Sequence, residues 1–127
     1  MEELTIHPVA VVHRDDDEFP EGECVLEVRP KLGPAMLGLE PGDRVQVMWW
    51  MHRLDGEQRE TLQCHPMGDR SEPKRGVFAL RSPMRPNPIG SSVVDVLEVR
   101  GNELVVAGLD AFDGSPVVDI KIARKGE

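Results

Sequence analysis

With 127 residues, the chain has the size of one compact domain and is too short for a catalytic domain joined to a separate binding domain. Leu, Ile, Val and Phe account for 34 residues and Val is the commonest of them at 16, alongside 12 Gly and 11 Pro; this excludes a disordered chain and a helical bundle and favours short strands joined by tight turns. The formal charge of −8 argues against a surface built throughout for nucleic acid, yet residues 70–85 hold five bases and one acid, a short basic segment in an acidic protein.

In chain order, β-branched stretches predict strands over residues 6–13, 24–29, 44–53, 61–64, 76–81, 92–99, 104–109 and 117–122. Pro41-Gly42-Asp43, Asp55-Gly56, Gly101-Asn102 and Asp113-Gly114 punctuate them as turns. Residues 30–39 are the one plausible helix, held to a turn or two by Gly33 and Pro34. The expected architecture is all-β, a small antiparallel β-barrel forming a single domain over 1–127.

Alternation sorts two strands into faces. Val45, Val47, Trp49 and Met51 make a core row, whereas Met48, Trp50 and His52 share the other row with Arg44 and Gln46. That half-apolar second row suits either a strand covered by its own chain or an interface or ligand wall. In 117–122, Val118, Ile120 and Ile122 form the apolar row and Val117, Asp119 and Lys121 the opposite one. No apolar run reaches the length of a membrane span, and the N-terminus opens on glutamates, so a cytoplasmic location with no membrane partner is expected. Cys24 and Cys64 are too few for a disulfide framework, and with the four histidines they match no zinc spacing, so no metal is expected.

Residues 75–92 read RGVFALRSPMRPNPIGSS. Pro83, Pro86 and Pro88 stiffen the stretch, leaving little entropy to lose on binding. It offers Arg81 and Arg85 as planar forks for a carboxylate or phosphate, Ser82 as a small donor, Asn87 for a base edge, and Gly90 where a ligand can approach the backbone. Such a loop suits a small zwitterionic or nucleoside ligand; an ordinary proline-rich surface loop would have the same composition. Residues 108–116, GLDAFDGSP, set two carboxylates and an aromatic around a tight turn, suited to ribose hydroxyls, an amine and a purine ring, or simply to a polar hairpin loop.

These stretches resemble the TsaA/YaeB (TrmO-like) family of S-adenosylmethionine-dependent methyltransferases. The family pattern G-V-F-A-T-R-S-x-x-R-P-N-P-I-G-x-S falls on 76–92, with Leu80 where Thr is usual. D-G-T-P-V-L-D-I-K falls on 113–121, with Ser115 and Val118 replacing Thr and Leu, and an aromatic strand ending in histidine falls on 47–53, VMWWMHR. The sequence departs at 15–18, an acidic stretch where many members carry Pro-Arg-Gln, and at Lys121-Ile122-Ala123 for Lys-Pro-Tyr. It also ends five residues after Ile122, short of the C-terminal extension that longer members carry.

The resemblance implies a barrel of a homodimer with S-adenosyl-L-methionine contacted by His52, Arg53, Arg81, Ser91, Asp110, Ala111, Phe112, Asp113 and Gly114. It implies methylation of N6 on threonylcarbamoyl-adenosine beside the anticodon of tRNA. The catalytic candidates are then Arg85 and Asn87 for orientation and Asp113 or His52 for the proton. Two other readings stand beside it: a non-catalytic barrel that binds the cofactor as a regulatory module, and a single-strand nucleic-acid binder stacking bases on Trp50 and Phe112. With five aromatics and no Tyr, the last is the poorest fit.

Overall fold

Valine-rich alternation produces the strands and a closed sheet produces the core. The computed structural model describes residues 1–15 and 22–127, so the acidic stretch at 16–21 lies outside the described residues. The strands are β1 (Ala10–His13), β2 (Glu23–Val28), β3 (Arg44–Trp50), β4 (Gln63–Cys64), β5 (Arg75–Gly76), β6 (Ile89–Arg100), β7 (Glu103–Ala107) and β8 (Pro116–Ile122). All but β4 and β5 close into an antiparallel barrel in the order β1-β2-β7-β6-β3-β8, and β4 pairs with β5 apart from it. Inward parity puts Val12, Leu26, Val45, Val47, Val94, Val96, Leu104 and Val106 in a fully buried core, each side chain stabilising by about 1.5–3 kcal/mol relative to exposure.

Two bulges adjust the alternation. β3 pairs with β8 as Met48↔Asp119 and then Trp49↔Val117, so Val118 is an extra residue in β8. Val117 is therefore completely buried and Ile120 still packs against the core, whereas simple alternation put them on opposite faces. Val118 turns outward beside Trp50. A second register shift, between Val96 and Glu98 in β6, pushes Leu97 into partial exposure.

Three expected elements differ. Residues 76–81 form no strand beyond Gly76: a 3-10 turn covers Val77–Ala79, with Val77 buried. The Arg85 guanidinium fixes that turn by donating to the Val77 carbonyl at 2.5 Å and the Leu80 carbonyl at 3.4 Å. Asp55-Gly56 is not a hairpin turn but the start of helix α1 (Gly56–Arg59), because the Asp55 carboxylate and the Gln58 side chain form a reciprocal capping box. The first predicted strand shortens to β1, and residues before Pro8 run along the outer surface, where Glu2, Leu4 and Ile6 share a groove with Trp50 and Val118. The outer row of β3 is thus partly covered by the chain itself. Arg59 adds to this cover, stacking 4.9 Å over the Trp50 ring.

The 3-10 segment Pro30–Met36, where a short helix was expected, closes one mouth of the barrel with Leu32 and Met36 packed on the core. Antiparallel pairing sends two connections to the other mouth, 51–88 between β3 and β6 and 108–115 between β7 and β8. Among the described residues, no helix is long and apolar enough to cross a membrane.

Candidate functional site

The mouth that carries the 51–88 and 108–115 connections also collects almost every residue singled out in the sequence. One part is a cleft of about 380 Å³ between the 80–85 loop, the start of β6 and the end of β3, lined by Arg81, Ser82, Arg85, Ser91 and Asp110 over an apolar wall that includes Trp49 and Met51. Ser91 is held in place: its hydroxyl accepts from Gln46 Nε2 at 2.9 Å, and its carbonyl takes a long 3.4 Å hydrogen bond from Arg81. Gln46 reaches it because Val47 pairs with Ser92 and Met48 with Ser91 across the β3–β6 ladder. Arg81 is exposed at the rim, whereas Arg85 is half-buried and already engaged with backbone carbonyls.

Gly90 has a different role from the one expected. A Cβ there would stand 2.4 Å from the Trp49 ring, so the indole already occupies the space a ligand was expected to use. Trp49 lies across the gap and forms part of the cleft wall.

The second part is built on residues 109–115. The Arg53 guanidinium stacks on the Phe112 ring at 3.9 Å. The His52 ring meets the Ser115 hydroxyl at 3.4 Å, and Ser115 in turn donates to the Phe112 carbonyl at 2.7 Å. Gly114 sits at φ 83° in the turn, a left-handed conformation natural to glycine, and the bare turn leaves His52 Nε2 3.9 Å from where a Cβ would be. Ala111 is buried and contributes its carbonyl.

Arg14 organises this loop from below and was not singled out in the sequence. It is 7% exposed; its Nη1 donates to the Leu109 carbonyl at 2.9 Å and the Ala111 carbonyl at 2.6 Å, and its backbone N–H donates to Asp113 Oδ1 at 3.0 Å. The signal was present: Ala10, Val12 and Arg14 share one parity, so the strand's inward row ends on an arginine that needs carbonyl partners.

Asn87 falls elsewhere. It lines the outer groove with Trp50, Arg59 and Val118, and the Arg59 side chain donates to the neighbouring Pro86 carbonyl at 3.0 Å. Asn87 and Arg85, expected to work together, thus face different spaces. In the loop between β4 and β5, hydrogen bonds from the Ser71 hydroxyl and amide hold the Asp69 carboxyl below its ordinary range. Among the described residues, no group of three or more His, Cys, Asp or Glu is placed to hold a metal.

Comparison with known proteins matches this arrangement to one family. Residues 12–123 match the model of the tRNA-methyltransferase O N-terminal domain. An S-adenosyl-L-methionine-binding protein of Archaeoglobus fulgidus is 55% identical over 103 residues, covering 81% of this chain and 70% of that protein. A probable S-adenosyl-L-methionine-binding protein of Methanocaldococcus jannaschii is 37% identical over 118 residues, covering 92% and 90%. The crystal structure of TrmO from Pseudomonas aeruginosa superposes with a TM-score of 0.73 at 27% identity over 97% of this chain, which spans 57% of the TrmO chain. A closed six-stranded barrel with its motif residues gathered at one mouth, and a family match over nearly its whole length, place this chain in the tRNA-methyltransferase O N-terminal domain family.

Proposed function

We propose that the protein binds S-adenosyl-L-methionine at this mouth and transfers its methyl group to N6 of an adenosine in tRNA, threonylcarbamoyl-adenosine beside the anticodon being the expected target. The observation that carries the reading is the cleft lined by Arg81, Ser82, Ser91 and Asp110 beside the Arg53–Phe112 stack. The donor set fits the cofactor, which is a zwitterion with a diol and a purine. A guanidinium suits its carboxylate, a carboxylate suits its ammonium or ribose hydroxyls, and the size lies within the range of small-molecule sites.

When bound, the cofactor supplies an electrophilic methyl group, which leaves alignment and proton handling to the protein. Arg81 and Ser91 hold the charged end, and Asp110 takes an amine or hydroxyl. Phe112, its ring faced by Arg53, offers a flat surface for the purine beside the Gly114 turn, and either His52 or Asp113 takes the proton. Arg85 acts by fixing the 77–80 turn and so the loop that presents Arg81. We assign Asn87, in the groove beside Trp50, to nucleotides flanking the target. A cytoplasmic homodimer completes the proposal, supported by the half-apolar outer row of β3, where Met48 and Trp50 remain partly exposed.

Calorimetric titration with S-adenosyl-L-methionine, followed by labelled-methyl transfer to total tRNA, tests the reading. Binding with transfer is expected, the methyl mapping to N6. Binding without transfer, on tRNA bearing the carbamoylated base, would establish a regulatory barrel instead, and no binding would end the cofactor proposal.

A further inference from the structure

We infer that Nε2 of His52 is the proton acceptor in the transfer and that the buried hydroxyl of Ser115 holds the imidazole in the tautomer this requires. The inference rests on the methyltransferase reading and chooses between two residues that reading leaves open, His52 and Asp113.

Ser115 is 1% exposed and has a single hydroxyl hydrogen, which it donates to the Phe112 carbonyl at 2.7 Å. That carbonyl is itself fixed, because the Ser115 backbone N–H also donates to it at 3.1 Å. With its hydrogen committed, the hydroxyl oxygen meets His52 Nδ1, 3.4 Å away, as an acceptor. Nδ1 therefore carries the ring hydrogen and Nε2 the lone pair. That lone pair belongs to an exposed ring at the bare Gly114 turn, with Nε2 3.9 Å from where a Cβ on Gly114 would stand.

Among the described residues, the charged groups around the ring are engaged elsewhere. Arg53, on its own segment, stacks on Phe112. Asp110 lines the neighbouring cleft. Arg14, beneath the loop, bridges the Leu109 and Ala111 carbonyls. Asp113 uses one carboxylate oxygen on the Arg14 backbone N–H at 3.0 Å, and a carboxylate is a weaker base than an imidazole. The step balances: the acceptor nitrogen gains the methyl carbon through its lone pair, sulfur keeps the electron pair of the broken C–S bond, and the displaced N–H proton goes to Nε2 and then to water. The resulting imidazolium keeps its Nδ1–H on Ser115.

Two measurements on the full chain decide this. In the ligand-free protein, a long-range ¹H–¹⁵N spectrum is expected to show neutral His52 as the Nδ1–H tautomer, with Ser115→Ala shifting it towards Nε2–H. With cofactor and tRNA, His52→Gln is expected to lower kcat about 10²- to 10⁴-fold, the range of a lost general base. It should also remove the acid limb of the pH–rate profile, while the cofactor Kd changes less than about tenfold. An Nε2–H tautomer in the wild type would overturn the inference. So would a variant whose defect is confined to cofactor Kd, or Asp113→Asn losing the acid limb in place of His52→Gln. Loss of transfer in the wild type itself would instead overturn the methyltransferase reading, and the inference with it.

Discussion

A β-carbon on Gly90 has nowhere to go, because the six-membered ring of Trp49 lies 2.4–2.8 Å from its position. Gly90→Ala is therefore expected to cost about 1–3 kcal/mol of stability, lowering Tm by roughly 4–12 °C in thermal unfolding. Trp49→Leu in the same chain should recover part of that loss, and a Gly90→Ala protein as stable as the wild type would show that the indole swings aside freely. Arg53→Ala removes the stack on Phe112, a contact of about 0.5–2 kcal/mol. It should raise the S-adenosyl-L-methionine Kd roughly 2- to 30-fold by calorimetry, and unchanged affinity would place the purine elsewhere. At this scale the sequence was legible in residue type more than in role. Arg81, Ser91 and Asp110 do share a cleft, but Gly90 serves an indole and Arg85 a turn, because tertiary neighbours decide what a glycine or a guanidinium faces.

Among the elements, the 108–115 connection depends on a residue 95 to 99 positions away in sequence. Arg14→Lys keeps the charge but cannot reproduce a planar group bridging two carbonyls. Faster hydrogen exchange is expected at Gly114, whose amide donates to Val12 at 2.8 Å, and at Ser115. Unaltered protection there would show that the loop holds itself. The loop carrying Asp69 responds to acid. Its carboxyl is stabilised in the ionised form by Ser71, so its contribution is present above the ordinary carboxylate range and is lost as pH falls through the depressed value. The Ser71 amide resonance should shift in that acidic window, and Asp69→Asn should abolish the shift. Most strands were readable from alternation and the brief helical segment at 30–36 from its Gly33 and Pro34, but helix α1 was expected as a turn at Asp55-Gly56 and the bulge at Val118 was not foreseen. One extra residue in β8 exchanges the faces of everything before it, and nothing local in Val117-Val118-Asp119 announces where the ladder slips.

For the whole molecule, charge placement matters more than the total. Arg70, Lys74, Arg75 and Arg81 are all exposed on the connection between β3 and β6, so tRNA binding by one chain should follow about four phosphate contacts. The logarithm of affinity is then expected to fall with the logarithm of salt at a slope of about −3. A slope near zero would remove RNA as the partner of this face. The barrel was legible as a class because valine-rich alternation with regular turns has few other solutions. Its strand order was not, since pairing β3 with β8 depends on the closure of the whole sheet.

That closure limits how the molecule can associate. Where the strands are laddered edge to edge, their backbone donors and acceptors are spent on one another, so neither a second copy nor a peptide can extend the barrel along those seams. A partner at the mouth is met by side chains and loops, and recognition there can therefore change by substitution while the hydrogen-bonded wall behind it stays the same.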